Sequence, residues 1–129
     1  MTAERVLSAL ATVNATLADV ASRLRRMAAV AKASQGLDVR RLSDGIYLDA
    51  YVEADLASGK TLIWWLETHN RVGGGWTVTP EVRIQTDLGQ DLLISLDQVE
   101  VTDDDLPETL ERLGNELASA ATEIDIGSV

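Results

Sequence analysis

The fold is decided by the stretch IYLDAYVEADL, residues 46–56, which alternates apolar and polar side chains along its whole length. Apolar residues occupy every second position from Ile46 to Leu56, and the positions between them hold Tyr47, Asp49, Tyr51, Glu53 and Asp55. A period of two places these sets on opposite faces of a β-strand. The stretch therefore predicts a half-buried strand whose second face is aromatic and acidic.

Further strands are predicted on both sides of this stretch. Their approximate ranges are 37–42, 61–69, 76–86 and 91–96. The alternation slips near Asp97 and Gln98 before Val99 and Val101, which indicates a bulge or the end of the last strand. Short segments rich in Gly, Asp and Ser separate the predicted strands and indicate turns. No connection is long enough for a crossover helix, so strands that follow one another should pair antiparallel. Pro80 has no N–H to donate, which predicts an edge or bulged position for it.

The first third of the chain predicts one long helix over about residues 2–34. Neither Gly nor Pro occurs from Thr2 to Ser34, and Gly36 then provides a stop signal. Apolar residues recur with spacings of four and three, which is a heptad pattern. Its members are Val6, Leu10, Val13, Leu17, Val20, Leu24, Met27 and Ala31.

This heptad pattern has two interpretations. It can pack across the protein's own sheet, or the residues from Val6 to Leu24 can pack on a second copy and form a homodimer. A helix of ~30 residues is ~45 Å long, whereas a domain of this size has a radius of gyration of about 14 Å. A helix longer than its own domain needs can kink, overhang or pack on a partner helix, so both interpretations stay open, and a homodimer is one of the expected partners.

A second helix is predicted over about residues 105–121, followed by a short tail at 122–129. Asp105 as N-cap, Pro107 in the first turn and Glu108 three residues after the cap form a capping-box pattern. The consecutive acids Asp103, Asp104 and Asp105 lack the alternating ligands of a calcium loop. The prediction is a single α+β domain, a two-layer sandwich with both helices on one face of a four- to five-stranded antiparallel meander. This outline resembles that of several small bacterial adaptor, chaperone and toxin-neutralising proteins.

Composition limits the chemistry. The chain has 129 residues, no Cys and a single His, so thiol nucleophiles, zinc–thiolate sites and iron–sulfur clusters are excluded. We therefore expect no metal and no cofactor. The net charge of -10 argues against nucleic acid, which binds to basic surfaces.

The charge is unevenly distributed along the chain. Residues 1–43 carry seven basic and three acidic side chains, a net +4, whereas residues 44–129 carry four basic and eighteen acidic ones, a net -14. The basic cluster can simply complement the helix dipole, or it can meet an acidic partner or a second copy. The acidic remainder favours a basic protein partner.

Two features predict a cytoplasmic location and no membrane partner. No run approaches the ~18 apolar residues of a membrane span. The N-terminal residues lack the basic region and unbroken apolar core of a signal peptide.

One face of the predicted sheet is the candidate protein-binding surface. Its members are Tyr47, Tyr51, Ile63 and Trp65 together with Asp49, Glu53 and Glu67. Tyr and Trp dominate binding hot spots, and an apolar patch surrounded by charge marks an interaction site. Cross-strand aromatic pairing, cover by another part of the chain and a small-ligand cleft are the alternatives.

Candidate catalytic residues are few. His69 and Glu67 share a strand face and could act as an acid–base pair, but no nucleophile accompanies them. Gly73–Gly75 lacks the Lys-Ser/Thr and the helix of a phosphate loop. We expect a non-enzymatic adaptor, chaperone-like or accessory domain. The alternatives are an immunity-type protein that neutralises a basic toxin, a small-ligand sensor, or an enzyme that uses His69 and Glu67.

Overall fold

A computed structural model describes residues 3–126 and residue 129, apart from the side chains of residues 3 and 122. Two helices flank a run of six strands along the chain. The elements are α1 (Ala3–Arg25), β1 (Val30–Leu42), β2 (Gly45–Leu56), β3 (Thr61–Arg71), β4 (Trp76–Thr86), β5 (Gly89–Ser95), β6 (Val99–Val101) and α2 (Leu106–Glu123).

The sheet is an antiparallel meander, as the short connections predict. Strands β1 to β5 lie side by side in chain order, and β6 pairs with β4 at the same edge as β5. Residues 81–86 of β4 pair with β5, and residues 76–78 pair with β6. Pro80 therefore lies opposite the gap between β5 and β6, where a missing N–H breaks no ladder.

Both helices pack on one face of the sheet, which confirms the two-layer architecture. The alternating apolar residues of β2 point into this layer, together with Leu62, Trp64 and Leu66 of β3. The helices also contact each other closely, since a Cβ on Gly114 would lie 3.2 Å from a methyl carbon of Val13. No helix in the described part of the chain has the length and apolarity that crossing a bilayer requires.

The heptad residues of α1 lie in the core of this single chain. All six residues proposed for a helical dimer interface are buried there: Val6, Leu10, Val13, Leu17, Val20 and Leu24. This is the arrangement in which the heptad face packs across the protein's own sheet. A second copy therefore has to bind to another surface.

The helix predicted over residues 2–34 is too long. Its proposed start at Thr2 lies outside the described residues, α1 ends at Arg25, and Val30 already begins β1. The reason lies in β2, whose edge from Tyr51 to Leu56 would lack a partner beside a strand limited to 37–42. Pairing with β2 overrides the helical preference of this Ala-rich segment. Gly36, assigned as a helix stop, lies within β1.

The C-terminal helix begins at Leu106, and Asp105 is its N-cap as predicted, but the Asp105 side chain makes no capping hydrogen bond. Its main-chain oxygen instead accepts hydrogen bonds from the amide and the hydroxyl of Thr109. The helix continues to Glu123, and Ile126 packs on the core. The segment assigned as a tail is thus partly integrated into the fold.

Candidate functional site

The face of the sheet that points away from the helices, termed the outer face, is not covered by any helix or strand among the described residues. Register places Tyr51 opposite Trp65, Asp49 opposite Glu67, and Glu53 opposite Ile63. Tyr47 lies opposite His69 at the end of the same two strands. The structure thus brings all seven predicted binding residues together on adjacent strands.

Asp49 is the buried charge at the centre of the outer face. Its side chain is only 3% exposed, and its Oδ2 accepts a hydrogen bond of 2.8 Å from Nε of Arg40 on β1. A second guanidinium nitrogen of Arg40 lies 3.3 Å from Oε2 of Glu67. Oδ1 of Asp49 is buried and has no hydrogen-bond partner within the described chain.

Two members of this cluster, Arg40 and Glu67, have shifted pKa values. The hydrogen bond that Arg40 donates to Asp49 raises the pKa of Arg40, so the guanidinium stays charged. Burial raises the pKa of Glu67, and the neighbouring charge of Asp49 raises it further, while Arg40 opposes both effects. The fold therefore stabilises the protonated form of Glu67.

Replacing Glu67 by Gln should change the pH dependence of stability. A carboxyl whose pKa is raised on folding stabilises the folded state below its unfolded pKa, and this contribution is lost as the pH rises through the folded value. The unfolding free energy of Glu67→Gln relative to the parent should therefore be higher at pH 7 than at pH 4. Chemical denaturation at both pH values measures this difference. If the stability of Glu67→Gln relative to the parent were higher at pH 4 than at pH 7, it would contradict a raised pKa for Glu67.

Tyr47, His69 and Asp44 form a second cluster at the β1–β2 turn. The rings of Tyr47 and His69 stack with centroids 4.0 Å apart. The Tyr47 hydroxyl donates to a carboxylate oxygen of Asp44 at 2.6 Å, which raises the pKa of Tyr47 to about 12 and lowers that of Asp44. Nε2 of His69 donates to the Asp44 main-chain oxygen at 3.0 Å. His69 and Glu67, the proposed acid–base pair, thus each contact a different partner.

Trp65 lies close to two guanidinium groups. The central carbon of Arg83 is 5.4 Å from the ring centroid and that of Arg40 is 6.0 Å away, distances at which cation–π attraction operates. Arg83 is also 2.6 Å from a carboxylate oxygen of Glu81. Nε1 of Trp65 is buried and has no partner within the described chain.

Tyr51 packs over Gly36 of β1. A Cβ on Gly36 would lie 2.6 Å from the Tyr51 hydroxyl oxygen, so a larger residue there would force the Tyr51 ring to move. Burial raises the pKa of Tyr51, and the charges of Asp38 and Glu53 raise it further. Sequence reasoning missed the roles of Gly36 and Arg40 because it assigned no strand before residue 37 and no cross-strand partner to residue 40.

A cavity of about 160 Å³ opens on the outer face beside these rings. We call it the acidic cavity and define it by Asp38, Asp49, Tyr51, Glu53, Ile63 and Trp65. Gln85 and Gln90 complete the lining. Three carboxylates and two aromatic rings surround a space that suits a positively charged group. Within the described residues, no group of His, Cys, Asp and Glu is placed to hold a metal ion.

Comparisons with known proteins give no relative for this chain. No family model matches it, and neither a curated protein nor a solved structure matches it significantly.

Proposed function

We propose that this protein is a non-enzymatic binding module that uses the outer face to bind a basic protein partner. One observation carries the proposal: the face left uncovered by the helices concentrates Tyr47, Tyr51 and Trp65 among acidic side chains. Rigid aromatic side chains supply much of the binding energy at protein interfaces. The net charge of -14 over residues 44–129 would steer a basic partner toward the protein.

The kind of basic partner would define the function more narrowly. A basic toxin such as a nuclease would make this an immunity-type protein, because acidic surfaces associate rapidly with such partners. An adaptor or chaperone-like role would instead involve basic segments of several client proteins. The same outer face serves both forms.

A second copy of this chain is a further candidate partner. The edge strand β1 leaves one row of main-chain groups without a strand neighbour in the sheet, and its Leu37 and Val39 are exposed. Exposed edges of this kind pair readily with other strands. The net +4 of residues 1–43 would favour contact with the acidic remainder of a second copy.

Site-specific cross-linking tests the proposal. A photo-reactive amino acid replaces exposed Glu53 on the outer face, and in a control protein it replaces exposed Glu111 on α2. We expect basic proteins to cross-link at residue 53 and not at residue 111. Trp65→Ala should lower the yield at residue 53 about tenfold or more, since losing an aromatic hot spot costs about 2 kcal/mol or more.

The products distinguish the candidate partners. Adducts between two copies of the chain at residue 53 would identify a homodimer that uses the outer face. One dominant basic toxin would identify an immunity-type protein, and many basic proteins an adaptor or chaperone-like one. Identical products at residues 53 and 111, or yields unchanged by Trp65→Ala, would refute the proposed binding face.

A further inference from the structure

We infer that the acidic cavity receives one cationic side chain, a lysine or an arginine of the protein partner. This inference rests on the proposed function and deepens it, because it names the chemical group that the outer face would recognise. Three independent features of the cavity support it: an unpaired buried acceptor, the charge of its lining, and its shape and size.

The unpaired acceptor is Oδ1 of Asp49. Arg40 satisfies Oδ2 at 2.8 Å, while Oδ1 is buried without a partner in the described chain and belongs to a residue that lines the cavity. Leaving a buried charged acceptor without a donor is costly. A donor that reaches Oδ1 from the cavity would remove this cost, and a positively charged donor would form the stronger, charge-assisted hydrogen bond.

The rest of the lining selects for positive charge. Asp38 and Glu53 add two carboxylates, and the lining contains no Lys or Arg. The two guanidinium groups beside Trp65 are already engaged, Arg40 with Asp49 and Glu67, and Arg83 with Glu81. An anionic group would be repelled here, and a neutral one would leave the charges of Asp38 and Glu53 uncompensated.

The shape suits a long side chain with a charged end. Ile63, which is buried, and the rings of Tyr51 and Trp65 offer apolar surface to the methylene groups of Lys or Arg. The aromatic faces also attract the cation itself. A volume of about 160 Å³ admits the end of one side chain and excludes a helix or a strand.

Titration with a single blocked amino acid tests this recognition directly. The probe is Nα-acetyl-lysine methylamide or its arginine equivalent, added to the protein labelled with ¹⁵N at its three tryptophans. We expect one indole signal to shift with half-saturation at about 1–10 mM. That signal should be absent from the spectrum of Trp65→Phe, and its absence would assign it to the Trp65 indole. The norleucine analogue, which has the same stem without the charge, should cause no saturable shift.

Two variants test which carboxylates of the acidic cavity bind the cationic group. Asp49→Asn should weaken binding about tenfold or more, because the amide keeps the shape and loses the charge. Glu53→Gln should weaken it severalfold, and since Glu53 is exposed this variant remains informative if Asp49→Asn fails to fold. Glu111→Gln removes one exposed charge from α2 and should bind like the parent.

The outcomes separate the inference from the proposed function. No saturable shift, an equal shift with norleucine, or unchanged binding by the folded Asp49→Asn and Glu53→Gln variants would overturn the cavity as a cation site. If cross-linking at residue 53 still depends on Trp65 in that case, the binding face stands and only the inference fails. If cross-linking also shows no dependence on Trp65, both fail.

Discussion

Trp64→Ala is expected to lower the free energy of unfolding by about 3–5 kcal/mol. Trp64 lies on β3, in the middle of the sheet, and is fully buried against the helices. Truncating it removes a large apolar surface and leaves a cavity that the surrounding side chains fill only in part. Such a loss is a large share of the total free energy of unfolding, which is about 5–15 kcal/mol for a typical domain.

Urea denaturation followed by far-UV circular dichroism measures this loss. Trp64→Phe should cost much less, because it keeps most of the volume and removes an indole N–H that has no partner in the described chain. Leu88→Ala is the matched surface control, since Leu88 is fully exposed, and its effect should stay within about 0.5 kcal/mol. A loss for Trp64→Ala as small as that for Leu88→Ala would mean that Trp64 is not in the core.

Gly45→Ala is expected to destabilise the protein by about 3 kcal/mol or more. Gly45 begins β2 with a φ of 137°, a conformation that L side chains rarely adopt. A Cβ there would overlap the main-chain oxygen of Asn70 on β3 and lie 2.9 Å from Nε2 of His69. The substitution therefore adds a steric conflict with the neighbouring strand to the conformational cost.

Gly59→Ala is the control for the conformational cost alone. Gly59 has a φ of 93°, and nothing lies within 4 Å of a Cβ built on it, so this variant should lose only about 1 kcal/mol. The stack of Tyr47 on His69 provides a second readout. Gly45→Ala should alter the ring-current shifts of the His69 protons, and Gly59→Ala should not. Equal stabilities of Gly45→Ala and Gly59→Ala would contradict this prediction, because they would show that β3 moves to accommodate the added methyl group.

The central sheet could be predicted because its signals are local. Alternation over residues 46–56 sets which side chains share a face, and the short connection to β3 sets the register that pairs Tyr51 with Trp65. The composition of the outer face follows from these two facts. The burial of the heptad residues of α1 was also one of the two outcomes that the sequence left open.

The first half of β1, residues 30–36, and the polar core of the site could not be predicted because they depend on distant partners. Residues 30–36 form a strand since β2 offers them an edge to pair with, and no local pattern contains that information. The burial of Asp49 likewise depends on Arg40, which reaches it from the adjacent strand. An acidic residue in an alternating strand normally indicates solvent exposure.

The meander has a consequence for the route by which the chain folds. Each of the first five strands pairs with the strand before it or after it in the chain, so successive hairpins can form from short loops at little entropic cost. The contact between α1 and α2 is different, because it joins the two ends of the chain. The entropy lost by closing that long loop is offset by packing interactions only when the sheet already offers both helices a surface. We therefore expect the hairpins to assemble first and the docking of the two helices to complete folding.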